Sequence, residues 1–235
     1  MSRTLENRSE QPSEKRPARS IDVRQARKLG IAPSARLRNH FIALARRLRQ
    51  WEQQRDSLDL GRPVSIGVTS LDRRAGRSTI AFNLAVALET VAHDPVLLIE
   101  ADFGRSRIAR RLNANAPGLC QWLGEQRPVD DCLLTTPLGR LQVMGSGPGD
   151  GETALELPFE QLAGRMQEEL DSFAYAVFDL PIADDLTACY SIAPELDGVI
   201  LVVPAGRIDR RRIEHTKRRF AEADITLIGL AVNQA

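Results

Sequence analysis

Five short apolar runs punctuate the chain, at residues 64–69, 96–102, 175–181, 198–203 and 227–233, each rich in aliphatic or β-branched residues and each flanked by polar, glycine or proline positions. Runs of this length predict buried strands. Between them the period changes. Ile80, Leu84, Ala87 and Leu88 follow the first run at helical spacing, and 158–170 and 207–219 read as further helices. Another helix is predicted over 36–55, where Leu37, Phe41, Leu44, Leu48 and Trp51 share one face. Strands alternating with helices predict a doubly wound, mainly parallel α/β sheet with helices on both faces.

The connection from the first strand to its helix reads Ser70-Leu-Asp-Arg-Arg-Ala-Gly-Arg-Ser-Thr79. This is the outline of a phosphate loop, in which backbone N–H groups curl around phosphate oxygens and the positive end of the next helix points at the anion. It assigns Arg74, Ala75, Gly76, Arg77, Ser78 and Thr79 to nucleotide binding, with Gly76 permitting close backbone approach and Ser78 offering a hydroxyl to magnesium. Two positions break the pattern: Leu71 stands where the first glycine belongs, and Arg77 where the lysine belongs. Taken alone, the segment also fits an ordinary βα turn.

The strand ends downstream of the loop narrow the choice. The second run ends in Glu100-Ala-Asp102, two carboxylates spaced to share one face of a strand end, and the third ends in Asp179. Carboxylates at the C-terminal ends of parallel strands lie where an α/β sheet gathers its ligand, and where Mg²⁺ bridges carboxylate and phosphate. The expected fold is therefore of the P-loop NTPase type. The candidate catalytic residues are Arg77, Glu100, Asp102 and Asp179, and the candidate metal ligands are Ser78, Asp102 and Asp179.

The order of these pieces resembles the bacterial tyrosine kinases of capsule and exopolysaccharide synthesis, within the wider MinD/ParA class of P-loop ATPases. The resemblance is carried by Val68-Thr-Ser70, Gly76-Arg-Ser-Thr79, Asn83-Leu-Ala85, the run ending at Asp102, Gly118-Leu-Cys-Gln-Trp-Leu123, Asp179-Leu-Pro181 and a last strand ending in Asn233. It covers residue 21 to the end. It implies ATP and Mg²⁺ as cofactors, Asn233 as a contact to adenine, a membrane polysaccharide chain-length or export protein as partner, and assembly with further copies of the chain.

The departures from that family are as informative. Arg77 replaces the loop lysine, Glu100 replaces the first carboxylate of the second motif, and Gly104, followed by Arg105, stands where the family has arginine. The charged triplet of the family's oligomerisation helix aligns with Asn39, Ile42 and Ala45, and the two tyrosines, Tyr175 and Tyr190, form no tyrosine-rich tail. Arginine keeps the lysine's charge but brings a wide planar fork that prefers two partners. Binding through backbone N–H groups survives such a change better than phosphoryl transfer does. The expectation is a catalytically weak or impaired regulator, the alternatives being an active ATP-dependent tyrosine kinase or a MinD/ParA-like positioning ATPase. Against the last stand Asp72, near where that class carries a signature lysine, and the 118–123 segment.

Composition adds boundaries. A net charge of +1 over 235 residues argues against a general nucleic-acid binder, and no run approaches the ~20 apolar residues of a membrane span. The expectation is a cytoplasmic protein, brought to the inner face of the membrane through its partner. Residues 1–20 read as a disordered polar arm, 21–60 as a helical extension and 61–235 as the nucleotide-binding domain. Cys120, Cys132 and Cys189 lack metal-type spacing and read as buried thiols. The basic stretches at 36–55, 105–111 and 207–219 read first as solvated helix faces or, for the second, as a segment closing over the site, and 145–151 as a flexible connection.

Overall fold

The computed structural model describes residues 19–20, 35–54, 61–103, 116–149, 152, 156–184, 188–207 and 209–234. In chain order the strands are β1 (Arg19–Ser20), β2 (Val64–Ser70), β3 (Val96–Glu100), β4 (Leu133–Thr135), β5 (Leu141–Met144), β6 (Tyr175–Asp179), β7 (Gly198–Pro204) and β8 (Leu227–Asn233). The helices are α1 (Ala35–Gln54), α2 (Arg77–Ala92), α3 (Leu119–Gly124), α4 (Val129–Cys132), α5 (Leu162–Glu169), α6 (Ala188–Ile192) and α7 (Arg210–Glu222). One sheet runs β1-β4-β5-β3-β6-β2-β7-β8, with every neighbouring pair parallel except β4 and β5. This is the expected α/β P-loop arrangement.

Alternation along the strands divides the core in two. Leu97, Ile99, Phe178, Leu201 and Val203 face a cluster with Trp122, Leu162, Met166, Ile213 and Phe220, whereas Ile66, Val68, Leu98, Val177 and Ile200 face one with Ile80, Leu84, Leu88 and Phe41. Burial on both faces explains why these strands read as continuous apolar runs. The second cluster is sealed by α1, whose Phe41, Ala45 and Leu48 are buried. Arg49 of α1 donates to the Val91 carbonyl in the last turn of α2 at 3.2 Å, a cation at the negative end of a helix dipole. Tyr175 of β6 donates to Glu52 at 2.6 Å. Two residues of the aligned triplet, Ile42 and Ala45, thus lie against this cluster.

Three expectations are adjusted. Arg19–Ser20, the end of the expected polar arm, pairs with Leu134 and Thr135 because β4 offers an open edge; residues 1–18 lie outside the described residues. Strands β4 and β5 were too short to register as apolar runs. The glycine-rich connection is pinned where it is described, at residues 145–149: Leu119 and Cys120 donate to the carbonyls of Gly145 and Ser146 at 2.8 and 3.0 Å, and the Gln121 amide donates to Pro148 O at 2.9 Å. Gly118 permits this docking, since a Cβ there would lie 2.1 Å from Gly145 O. The stretch 105–111 lies outside the described residues.

At the N-terminal edge of the sheet, the Arg62 guanidinium grips Asp197 through two bonds of 2.8 and 3.0 Å, while the backbone N–H and hydroxyl of Ser65 donate to the same carboxylate at 2.8 and 2.9 Å. Burial alone would raise the Asp197 carboxyl, but the Arg62 and Ser65 bonds outweigh it and hold the group below the ordinary aspartate range. A depressed carboxyl stabilises the fold above the unfolded-state value and ceases to do so as pH falls through the folded one. Asp197→Asn is expected to cost about 3 kcal/mol in urea unfolding at pH 7. The gap to wild type should narrow once pH drops below about 4.

Candidate functional site

The order β3, β6, β2 sets three strand ends side by side, and α2 starts directly above them. The loop between β2 and α2 holds two left-handed residues, Arg74 (φ 65°) and Gly76 (φ 85°). Alternation of right- and left-handed residues turns successive N–H groups toward one concavity. Gly76 is the N-cap of α2 and brings no side chain to its first turn, so the positive end of a sixteen-residue helix opens into the same space. Ala75 is buried, Arg73, Arg74 and Thr79 are exposed, and Gly76, Arg77 and Ser78 are half-buried. A cleft lined by Ser70, Arg73, Arg74, Ser78, Asp102 and Pro181 lies here. This cradle fits an anion such as a polyphosphate.

Gly76 is fixed from behind. The Asn233 side chain, at the end of β8, donates to the Ala75 carbonyl at 2.9 Å, and a Cβ on Gly76 would stand 2.1 Å from its Nδ2. Asn233 therefore braces the loop backbone.

Arg77 does not extend along the loop. Its Nε donates to Asp179 at 3.0 Å and its Nη2 donates to Asp102, so one guanidinium bridges the end of β6 and the residues just past β3. The bridge is largely shut away from water, with the Arg77 side chain 11% and that of Asp179 3% exposed. Burial drives the Asp179 carboxyl above its usual range, and Arg77 and the Ser78 hydroxyl oppose that rise. Glu100 is buried in register with Asp179 and, by alternation from Leu98, falls on the α2 face of β3. The structure thus brings Arg77, Ser78, Asp102 and Asp179 together, with Glu100 at the adjoining strand end.

As they stand, these residues do not fit a divalent metal. The two carboxylates expected as its ligands are already charge-paired with Arg77.

One contributor escaped the sequence reading. Arg212 on α7 donates to Asp72 and Asp184 at 2.9 Å each and to the Leu71 carbonyl at 3.0 Å, clasping the start of the loop to the segment after β6. Within Arg210-Arg-Arg212 nothing marks the third arginine. The usable signals were its acidic partners, Asp72 and Asp184.

The chain is 26% identical over 171 residues to the tyrosine-protein kinase CpsD of Streptococcus agalactiae, covering 72% of this chain and 74% of that protein. It is 26% identical over 175 residues to the tyrosine-protein kinase YwqD of Bacillus subtilis strain 168, covering 72% and 71%. Its sequence relatives are bacterial tyrosine kinases. Solved structures agree on the fold: the VpsO kinase domain superposes with a TM-score of 0.68 at 20% identity, covering 85% of this chain and 97% of that one. The septum site-determining protein MinD of Pyrococcus horikoshii OT3, solved with Mg-ADP, gives 0.59 at 18% identity, covering 72% and 70%. No family model matches the chain. The fold is thus that of tyrosine-kinase domains and MinD/ParA ATPases. No helix among the described residues is long and apolar enough to cross a membrane.

The contact of Gly76 with Asn233 yields a test. Gly76→Ala is expected to cost about 2 kcal/mol through its left-handed backbone and the clash. Asn233→Ala should remove the clash, so the double variant should be less destabilised than the sum of the two singles, as read from urea unfolding in a double-mutant cycle.

Proposed function

We propose that this chain is a cytoplasmic P-loop nucleotide-binding protein of the polysaccharide tyrosine-kinase type, catalytically impaired, that regulates capsule or exopolysaccharide synthesis and export through a membrane chain-length or export protein. The observation that carries the reading is the placement of Arg77, which lines the cleft with its guanidinium bonded to Asp102 and Asp179. A loop lysine contributes by placing a compact charge on the outer phosphates, where negative charge develops during transfer. A guanidinium committed to the buried Asp179 and the half-buried Asp102 makes no such contribution. What remains suits binding. ATP phosphates would be held by the N–H groups from Arg74 to Thr79 and by the charges of Arg73 and Arg74, which line the cleft. Asn233, on β8 behind the loop, would lie on the adenine side.

The placement of both tyrosines also supports impairment. Tyr175 is buried in β6, and Tyr190 on α6 packs edge-on against Phe220 at 5.7 Å with Arg219 over its ring. Neither is presented as a phosphoryl acceptor in this fold.

The reading is tested by measuring ATP binding and turnover beside Arg77→Lys. ATP should raise the melting temperature of the wild-type protein, because a ligand that binds only the folded state stabilises it. Turnover should fall about a hundredfold or more below the ~1–100 s⁻¹ of kinases, and the lysine variant should gain turnover. Wild-type turnover within that kinase range, or a melting temperature indifferent to ATP, would sink the proposal.

A further inference from the structure

The bridge from Arg77 to Asp102 and Asp179 also bears on which form of nucleotide the site can take. In a metal-using phosphate loop the carboxylates at the strand ends remain available to a divalent cation, held directly or through its water shell, and the ion neutralises both them and the phosphates. Here a side chain fills that role from within. The guanidinium is planar, permanently charged and weakly hydrated, so it tolerates burial between two carboxylates better than a lysine ammonium would. Its two bonds point in different directions, one toward the end of β6 and one toward the residues after β3, which is the span an ion would have to bridge.

Charge sets the preference. Asp102 and Asp179 bring two negative charges, and Arg77 neutralises one of them, with Asp179 shut away from water and Asp102 half-buried at the cleft. Inserting a dication beside a guanidinium that cannot lose its proton would place like charges within a few ångströms in a poorly solvated space. Expelling the guanidinium instead would forfeit two charge-assisted bonds. The phosphate side of the cleft has no such need, since Arg73 and Arg74 and the start of α2 already supply positive potential.

We propose that Arg77 is the resident cation of this site, in place of a divalent metal, and that the site takes its nucleotide as the metal-free polyphosphate. The second half rests on the nucleotide reading above; the first does not. Two measurements on the full chain separate them. The first titrates Mn²⁺ alone into wild type, Arg77→Met and Arg77→Lys, following free Mn²⁺ by electron paramagnetic resonance; the lysine variant serves if the methionine variant does not fold. Wild type should take up no Mn²⁺ in the range where a variant takes up about one equivalent. Uptake by wild type as tight as by a variant, or uptake by no folded variant, overturns the resident-cation half. The second measures binding of a fluorescent ATP analogue in Mg²⁺ and in EDTA. Chelation should change the wild-type Kd by less than about tenfold and weaken binding to Arg77→Lys by about tenfold or more. A wild-type loss of tenfold or more, or a lysine variant as indifferent to chelation as wild type, overturns metal-free binding. If wild type binds the analogue under neither condition, the nucleotide reading itself fails and the metal-free half with it, while the Mn²⁺ titration still decides the role of Arg77.

Discussion

Buried carboxylates at the end of a parallel sheet must be answered by positive charge, and in this protein the answer comes from the first residue of α2. Asp179 is almost wholly enclosed and would be costly to keep ionised alone. Arg77 reaches it from above and takes Asp102 with its other arm. The ladder between β3 and β6 sets the two carboxylates near each other, and that pair of bonds ties both to the start of α2. The loop is braced from two further sides, by Asn233 at the Ala75 carbonyl and by Arg212 at the Leu71 carbonyl.

The sequence relatives are kinases, and the fold is shared with ATPases of the MinD/ParA class. Arginine carries the same sign of charge as the lysine usual in such loops, which is why the loop still reads as a phosphate loop. The longer, forked side chain has a second option that lysine serves poorly, namely to satisfy two carboxylates at once. Once it does so, the charge is committed to holding the sheet ends together. The exposed Arg73 and Arg74 remain at the mouth of the cleft.

Much of this could be read before the fold was known. The five runs became β2, β3, β6, β7 and β8; the first four are apolar because the sheet buries them on both faces, whereas β8 is an edge strand that leaves Leu230 and Val232 exposed. The edge of the sheet was less legible: β1, β4 and β5 span two to four residues, too few for a periodic signal. The segment after β5 looked mobile from its glycines, yet those glycines let it approach α3 closely enough to be hydrogen-bonded in place. Composition identifies what a backbone is able to do; the neighbour decides what it does.

The sequence by itself determined the fold class, the position of the phosphate loop and the three carboxylates that gather near it, because hydrophobic period and strand-end chemistry are local properties. It also exposed Arg77 as the residue out of place. Only the tertiary structure decided where that side chain goes. Its partners lie 25 and 102 residues further along the chain, and their distance from it is set by strand order rather than by spacing. For the same reason no reading of residues 70–79 alone could find Asn233 or Arg212, which reach the loop from elements that the sheet and its covering helices bring alongside it.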